Sequence, residues 1–96
     1  MEDYLLAQSG VLGSMLISPE IVGDVMAQLR PEDFTEDSGR AVFEAVRELF
    51  VGGEKIDLVT VLNRMGPPDK ARKQYVLQLM DNTPTAAHYR EYMEIV

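Results

Sequence analysis

Helix-breaking residues recur along this chain at short intervals, which limits it to short helices. They stand at Pro19, Pro31, Gly52-Gly53, Gly66-Pro67-Pro68 and Pro84. Proline blocks the continuation of a helix, and glycine adopts the positive φ angles with which many helices end. Between these breaks the apolar residues recur at helical spacing and not in strict alternation. The pattern predicts an all-α fold, a compact bundle of about six short helices.

The first predicted helix carries a stripe of small side chains. It runs from Tyr4 to Ile17, and Ala7, Gly10 and Ser14 lie along one side of it. A stripe of this kind lets another helix approach closely, and a backbone that faces a ligand is the alternative interpretation. We predict close helix packing at these three residues, because a glycine inside a helix costs about 1 kcal/mol that packing has to offset.

Short polar side chains precede the other apolar segments and are candidate N-caps. They are Ser18 for the second helix, Thr35 or Asp37 for the third, Asp57 for the fourth, Asp69 for the fifth and Thr85 for the sixth. The third helix is expected to end at about Phe50, before the two glycines. Residues 56–61 contain enough β-branched side chains to suit a strand as well. We predict a helix there, because Ile56 and Val61 occupy the two positions of a hydrophobic staple.

Aromatic and apolar side chains line one side of the last predicted helix. Tyr89, Tyr92, Met93 and Val96 fall at helical spacing, a pattern typical of cores and of the centres of oligomer interfaces. We take these four residues as a candidate oligomer interface, with core packing as the alternative. No glycine, proline or basic last turn follows them. We therefore expect residues 1–96 to form a single helical domain whose last helix is truncated at Val96.

Acidic residues outnumber basic ones, which disfavours direct binding of nucleic acid. The chain has 16 aspartates and glutamates against 9 lysines and arginines, and its formal net charge is −7. Affinity for nucleic acid depends on cations that neutralise phosphates, so the expected partners are proteins. Lys70, Arg72 and Lys73 lie close together without interleaved aromatic residues. They predict a solvated helix start, with a contact to an acidic partner or a phosphate as the alternative.

Residues suited to catalysis or metal binding are scarce. The chain has no cysteine and one histidine, His88. It lacks the Gly-x-x-x-x-Gly-Lys pattern followed by Ser or Thr with which a P-loop holds nucleotide phosphates. The acid pairs Glu32-Asp33 and Glu36-Asp37 lie near helix starts, where capping and solvation explain them. We expect no catalytic, cofactor-binding or metal site in this chain, and no membrane span, because its apolar runs are short.

Four signatures follow one another along the chain in a definite order. They are Pro31-Glu32-Asp33-Phe34, then Arg40 with Phe43-Glu44-Ala45, then Ile56-Asp57-Leu58-Val59-Thr60, and finally Asn82-Thr83-Pro84-Thr85-Ala86-Ala87 leading to Tyr92 and Glu94-Ile95-Val96. In this order and at this spacing they resemble the N-terminal domain of DnaB-type replicative helicases over nearly the whole chain. Gln8 stands where that family usually has a glutamate, and residues 66–70 stand where it commonly has a Gly-Gly.

The resemblance implies a role in assembly. In DnaB-type helicases this domain pairs through a helical hairpin into a collar of three dimers on a hexamer, and the collar receives the helicase-binding domain of primase. The resemblance therefore implies self-association, primase docking and contact with a helicase loader. ATP and magnesium, and most contacts with DNA, belong to the C-terminal domain of the parent ATP-dependent helicase. The implied location is cytoplasmic, in a protein encoded by a bacterium or a phage.

Three other functions remain as alternatives to a helicase N-terminal domain. The helicase-binding domain of a primase has a related helical head, although the signature from Asn82 to Val96 is not expected in it. A small helix-turn-helix DNA-binding protein also consists of short helices joined by tight turns, and the net charge disfavours it. A small helical enzyme is the third alternative.

Overall fold

The computed structural model describes residues 2–67 and 69–96 and contains six α-helices within them. The helices are α1 (Glu2–Ile17), α2 (Val22–Gln28), α3 (Asp37–Val51), α4 (Leu58–Met65), α5 (Lys70–Asp81) and α6 (Tyr89–Ile95). Single 3-10 turns at Pro19–Ile21 and Pro31–Asp33 precede α2 and α3. The predicted all-α fold is confirmed. The predicted stop at Gly66-Pro67-Pro68 includes Pro68, which lies outside the described residues.

Helix α1 is central to the fold, because α3, α5 and α6 all pack against it. The buried side chains form one cluster that includes Leu12, Met15, Val22, Val25, Phe34, Val42, Phe43, Val46, Val61, Val76 and Leu79. Within it the rings of Phe34 and Phe43 lie 4.7 Å apart between centroids and are tilted by 32°. Full burial of such a side chain contributes about 1.5–3 kcal/mol to folding. The phenylalanine of the first signature thus packs directly on that of the second.

The predicted caps of α4 and α5 are confirmed. Asp57 Oδ1 accepts the backbone N–H of Thr60 at 2.9 Å, and the hydroxyl of Thr60 lies 2.9 Å from the backbone nitrogen of Asp57, so the two residues form a capping box. Asp69 Oδ1 accepts the N–H of Ala71 at 2.8 Å. The segment that would also suit a strand is therefore helical, because its first turn satisfies its backbone donors locally.

The two glycines after α3 have different roles. Gly53 has a φ of 68°, whereas Gly52 has a φ of −77° and stays in the right-handed helical region. The N–H of Glu54 donates to the carbonyl of Leu49 at 2.9 Å, and that of Gly53 donates to the carbonyl of Phe50 at 3.1 Å. These two bonds form a Schellman motif. Positive φ thus ends α3, as predicted, at Gly53 alone.

The caps of the second and third predicted helices differ from the prediction. Ser18 occupies the N-cap position of the 3-10 turn before α2, as predicted, but its hydroxyl caps no backbone N–H and lies 3.4 Å from Glu20 Oε2. Thr35 and Asp37 do not cap α3, whose N-cap is Glu36. The side chain of Thr35 is bound to Gln8, and that of Asp37 to Arg40 at 2.9 Å. Their hydrogen-bonding groups are satisfied by other side chains.

The start of the last helix is also later than predicted. Thr85 Oγ1 accepts the N–H of Ala87 at 3.1 Å and closes a turn outside the helix. Helix α6 begins at Tyr89, after His88 at the N-cap. The threonine stabilises the approach to α6 and not its first turn.

Candidate interaction surfaces

Helices α1 and α6 pack closely where their small and aromatic residues meet. A Cβ atom added to Gly10 would lie 2.5 Å from Cδ2 of Tyr92. One turn further along α1, a Cβ atom on Gly13 would lie 2.6 Å from the carbonyl oxygen of Leu79 and would overlap the side chain of Thr83. Tyr92 of α6 therefore faces Gly10, whereas Thr83, in the connection before α6, faces Gly13.

The stripe of small residues on α1 is buried. Ala7 and Ser14 are inaccessible to solvent or nearly so. The hydroxyl of Ser14 donates to the carbonyl of Gly10 at 2.6 Å, which satisfies a buried polar group inside its own helix. Gly10 provides the space for the ring of Tyr92. Gly13 does not belong to the predicted stripe. It nevertheless approaches Leu79 and Thr83 equally closely.

The four residues predicted as an oligomer interface lie against the core of this chain. Met93 is 7% exposed, and Tyr89, Tyr92 and Val96 are partly buried against the same cluster. Core packing therefore accounts for this side of α6 in the isolated chain. Their direct role in an oligomer contact stays a prediction.

A hydrogen bond between side chains fixes α6 to α2. The hydroxyl of Tyr89 donates to Asp24 Oδ2 at 2.8 Å, and Arg90 Nε approaches the same oxygen at 3.5 Å. The hydrogen bond from Tyr89, aided by Arg90, holds the pKa of Asp24 below its ordinary value of 3.8. The guanidinium of Arg90 also lies 5.5 Å from the centroid of the Tyr89 ring. Sequence reasoning did not find this cluster, because its members are far apart in the chain.

Exposed apolar side chains occur on both helices of the α1–α6 pair. Leu6 is 68% exposed, and Leu5 is partly exposed beside it at the start of α1. Ile95, at the end of α6, is 50% exposed. Helices α1 and α6 pack against each other. We call Leu5, Leu6 and Ile95 the terminal patch.

Helices α4 and α5 border a groove that has a basic rim. Its volume is about 550 Å³, and its lining includes Leu58, Val59 and Leu62 of α4 together with Lys70, Arg72 and Lys73 of α5. Nη1 of Arg72 donates to the carbonyl of Met65 at 3.0 Å and so caps the end of α4. The basic residues noted in the sequence therefore lie beside exposed apolar surface.

Two kinds of arrangement are absent from the part of the chain that the structure describes. Within residues 2–67 and 69–96, no group of three or more His, Cys, Asp or Glu side chains is placed to hold a metal ion. None of the described helices is by itself long and apolar enough to cross a membrane. The segments Tyr4–Ile17 and Pro19–Gln28 reach that length and composition only together, and they are bent by 114°.

Comparison with known proteins gives one family. The family model described as "DnaB-like helicase N terminal domain" matches residues 4–96. Proteins named replicative DNA helicase DnaB are 34% identical in Mycobacterium leprae and 35% identical in Leifsonia xyli, each over 96 residues and 96% of this chain. The chain spans 16% and 21% of the length of these two relatives.

A solved structure agrees in fold as well as in sequence. The crystal structure of the N-terminal domain of DnaB helicase from Mycobacterium tuberculosis matches with a TM-score of 0.77 and 35% identity. The match covers 93% of this chain and 65% of that chain. The resemblance inferred from the four signatures is confirmed.

Proposed function

Because the chain belongs to the family of DnaB-like helicase N-terminal domains, we propose that it is a self-association and primase-docking module of a bacterial or phage replicative helicase. In this proposal the domain forms pairs within the collar of a hexamer, in the cytoplasm. ATP, magnesium and most DNA contacts belong to another part of the protein, and a helicase loader is a further partner. The chain spans 16% and 21% of two relatives named as helicases, so unwinding by the whole protein is part of the proposal.

The terminal patch is the observation that carries self-association. Leu6 and Ile95 leave apolar surface in water on two helices that pack against each other. Covering each square ångström of such surface is favourable by about 25 cal/mol. A second copy that presents the same patch satisfies the two-fold symmetry of most protein pairs.

The buried side of α6 supports this contact indirectly. Tyr92 and Met93 pack on the core, and the hydroxyl of Tyr89 binds Asp24. These contacts fix the orientation of the helix before it meets a partner. We propose that Tyr89, Tyr92, Met93 and Val96 position α6, and that Ile95 makes the direct contact.

The proposal of primase docking rests on the family to which the chain belongs and on the net charge of the chain. The formal net charge of −7 disfavours nucleic acid as a direct ligand of this domain and leaves proteins as the expected partners. The helicase-binding domain of the primase from the same organism is the natural probe, because binding to it is separable from binding of the domain to itself.

Light scattering over a range of concentrations tests self-association. We expect the mass to rise from one chain towards two with concentration, and Ile95→Lys to keep it at one chain. Val51→Lys is the matched control, because Val51 is 77% exposed at the end of α3, outside the terminal patch. A constant mass of one chain for the unchanged protein contradicts self-association.

Calorimetric titration with the primase domain tests docking. Absence of a heat of binding to the unchanged protein would contradict docking.

A further inference from the structure

The groove between α4 and α5 has an apolar floor that lies open to solvent. Leu58, Val59 and Leu62 contribute to it from α4, and Val59 is 63% exposed. These three residues follow helical spacing on one element, so they present a continuous apolar strip. Helix α4 has 8 residues and is therefore about 12 Å long, which matches about two turns of another helix laid along it.

The rim of the groove is positive, although the chain as a whole is acidic. Lys70 and Lys73 line it from α5, and neither makes an ion pair among the described residues. Asp69 is the one carboxylate in the lining, and it already accepts the N–H groups of Ala71 and Arg72 as the cap of α5. The rim therefore offers two lysine ammonium groups beside the exposed Val59 and the partly buried Leu58 and Leu62.

We propose that this groove binds an acidic amphipathic helix of a partner protein. Apolar side chains at helical spacing on the partner would cover Val59 and Leu62, and flanking carboxylates would meet Lys70 and Lys73. This is the helix-in-groove mode of recognition, with complementary charge at the rim fixing the orientation of the helix. The proposal goes beyond self-association, because the groove involves neither α6 nor the terminal patch.

Two other occupants fit less well. A second copy bound through the same groove would bring Lys70 and Lys73 of both chains into one interface, because a two-fold contact pairs identical surfaces. Nucleic acid would meet the cations but would find no aromatic ring among the lining residues on which to stack a base. The formal net charge of −7 further opposes it.

A designed peptide serves as the probe. It has about 18 residues, capped termini, leucines at helical spacing and glutamates on both sides of the leucine stripe, and its twin carries lysines in place of the glutamates. Amide shifts of the isotope-labelled protein are followed by NMR during titration. We expect the acidic peptide to shift the amides of Val59, Leu62 and Lys73, and the lysine twin to bind at least about tenfold more weakly.

Matched variants locate the contact. Val59→Asp is expected to weaken binding about tenfold or more, and the double variant Lys70→Glu with Lys73→Glu to do the same. Val51→Asp, and the double variant Arg30→Glu with Arg47→Glu, place the same new charges outside the groove and are expected to leave the affinity unchanged. Val59 and both lysines are exposed, so the variants keep the fold, which amide spectra verify.

Several outcomes overturn the proposal. Equal binding of the two peptides removes the charge argument, and shifts confined to the terminal patch place the contact elsewhere. Binding of single-stranded DNA that is lost in the double lysine variant makes nucleic acid the occupant. A fall in self-association caused by Val59→Asp makes a second copy the occupant. Failure of Ile95→Lys to change the mass bears on the proposed function alone, because that residue is outside the groove.

Discussion

The hydroxyl of Tyr89 donates a 2.8 Å hydrogen bond to Asp24 Oδ2, joining residues 65 positions apart. This bond fixes the orientation of α6, the helix that we propose to carry the self-association contact. It is also the largest cause of the lowered pKa of Asp24. One contact therefore couples the position of α6 to the ionisation of a carboxyl group on α2.

Removal of this hydrogen bond is expected to loosen α6. In Tyr89→Phe the ring remains but the hydroxyl is lost, so we expect a decrease of a few degrees in Tm and faster exchange of the amide hydrogens of α6. Tyr92→Phe is the matched control, because the hydroxyl of Tyr92 makes no hydrogen bond among the described residues. Equal effects of the two variants would show that the Asp24 bond contributes nothing specific.

The lowered pKa of Asp24 predicts a loss of stability in acid. The folded pKa lies below the ordinary value of 3.8, so the carboxylate stabilises the fold above that value, and this contribution is lost as the pH falls through the folded pKa. We expect Asp24→Asn to reduce the decrease in Tm between about pH 5 and pH 3. Asp81→Asn, at the exposed end of α5, is the control. An unchanged pH profile in Asp24→Asn would contradict the prediction.

Close helix packing predicts different effects for two glycines. A Cβ atom at Gly13 would meet the backbone carbonyl of Leu79 at 2.6 Å, so we expect Gly13→Ala to cost about 1–3 kcal/mol of unfolding free energy. At Gly23 it would meet the end of the half-exposed Phe50 ring at 3.3 Å, which can move. Gly23→Ala is therefore expected to be neutral or slightly stabilising. Urea denaturation measures both, and equal costs would contradict the assigned role of Gly13.

The end of α3 offers two adjacent glycines for comparison. Gly53 has a positive φ, so Gly53→Ala is expected to cost about 1–2 kcal/mol. Gly52 stays in the right-handed region, where alanine is allowed, and its Cβ atom would meet the flexible carboxylate of Glu54 at 3.0 Å. We expect Gly52→Ala to change the free energy of unfolding by about 0.5 kcal/mol or less. Urea denaturation measures the free energy of unfolding of both variants. A larger loss in Gly52→Ala than in Gly53→Ala would refute the Schellman assignment.

Local signals explain what the sequence predicted correctly. The cap at Asp57, the cap at Asp69 and the positive φ within the Gly52-Gly53 pair each depend on atoms within a few positions of one another. Such contacts exist as soon as the helix does, so residue type and spacing are enough to identify them.

Contacts between distant segments explain what the sequence missed. Thr35 has the residue type of a cap, yet its N–H donates to Gln8 Oε1 at 3.0 Å across 27 positions. The bond between Tyr89 and Asp24 gives no local signal at all.

The candidate contact surface was predicted only in part. An apolar stripe on α6 is visible in the sequence, but core and partner require the same residue types, so the pattern cannot tell which of the two the stripe meets. The exposed Leu6 and Val59 were not singled out as contacts. Leu6 does not share the helical periodicity of the buried Val11, Leu12, Met15 and Leu16 of α1, and such a departure is a signal that can identify an exposed contact residue.

The packing of α6 on α1 also determines when this domain can fold. Bacterial ribosomes add about 5–20 residues each second, so α1 leaves the exit tunnel several seconds before α6. During that interval the space at Gly10 lacks the ring of Tyr92, and apolar surface on α1 is open to other nascent chains. Formation of this domain therefore waits until α6 has emerged, and α1 lacks part of its packing surface until then.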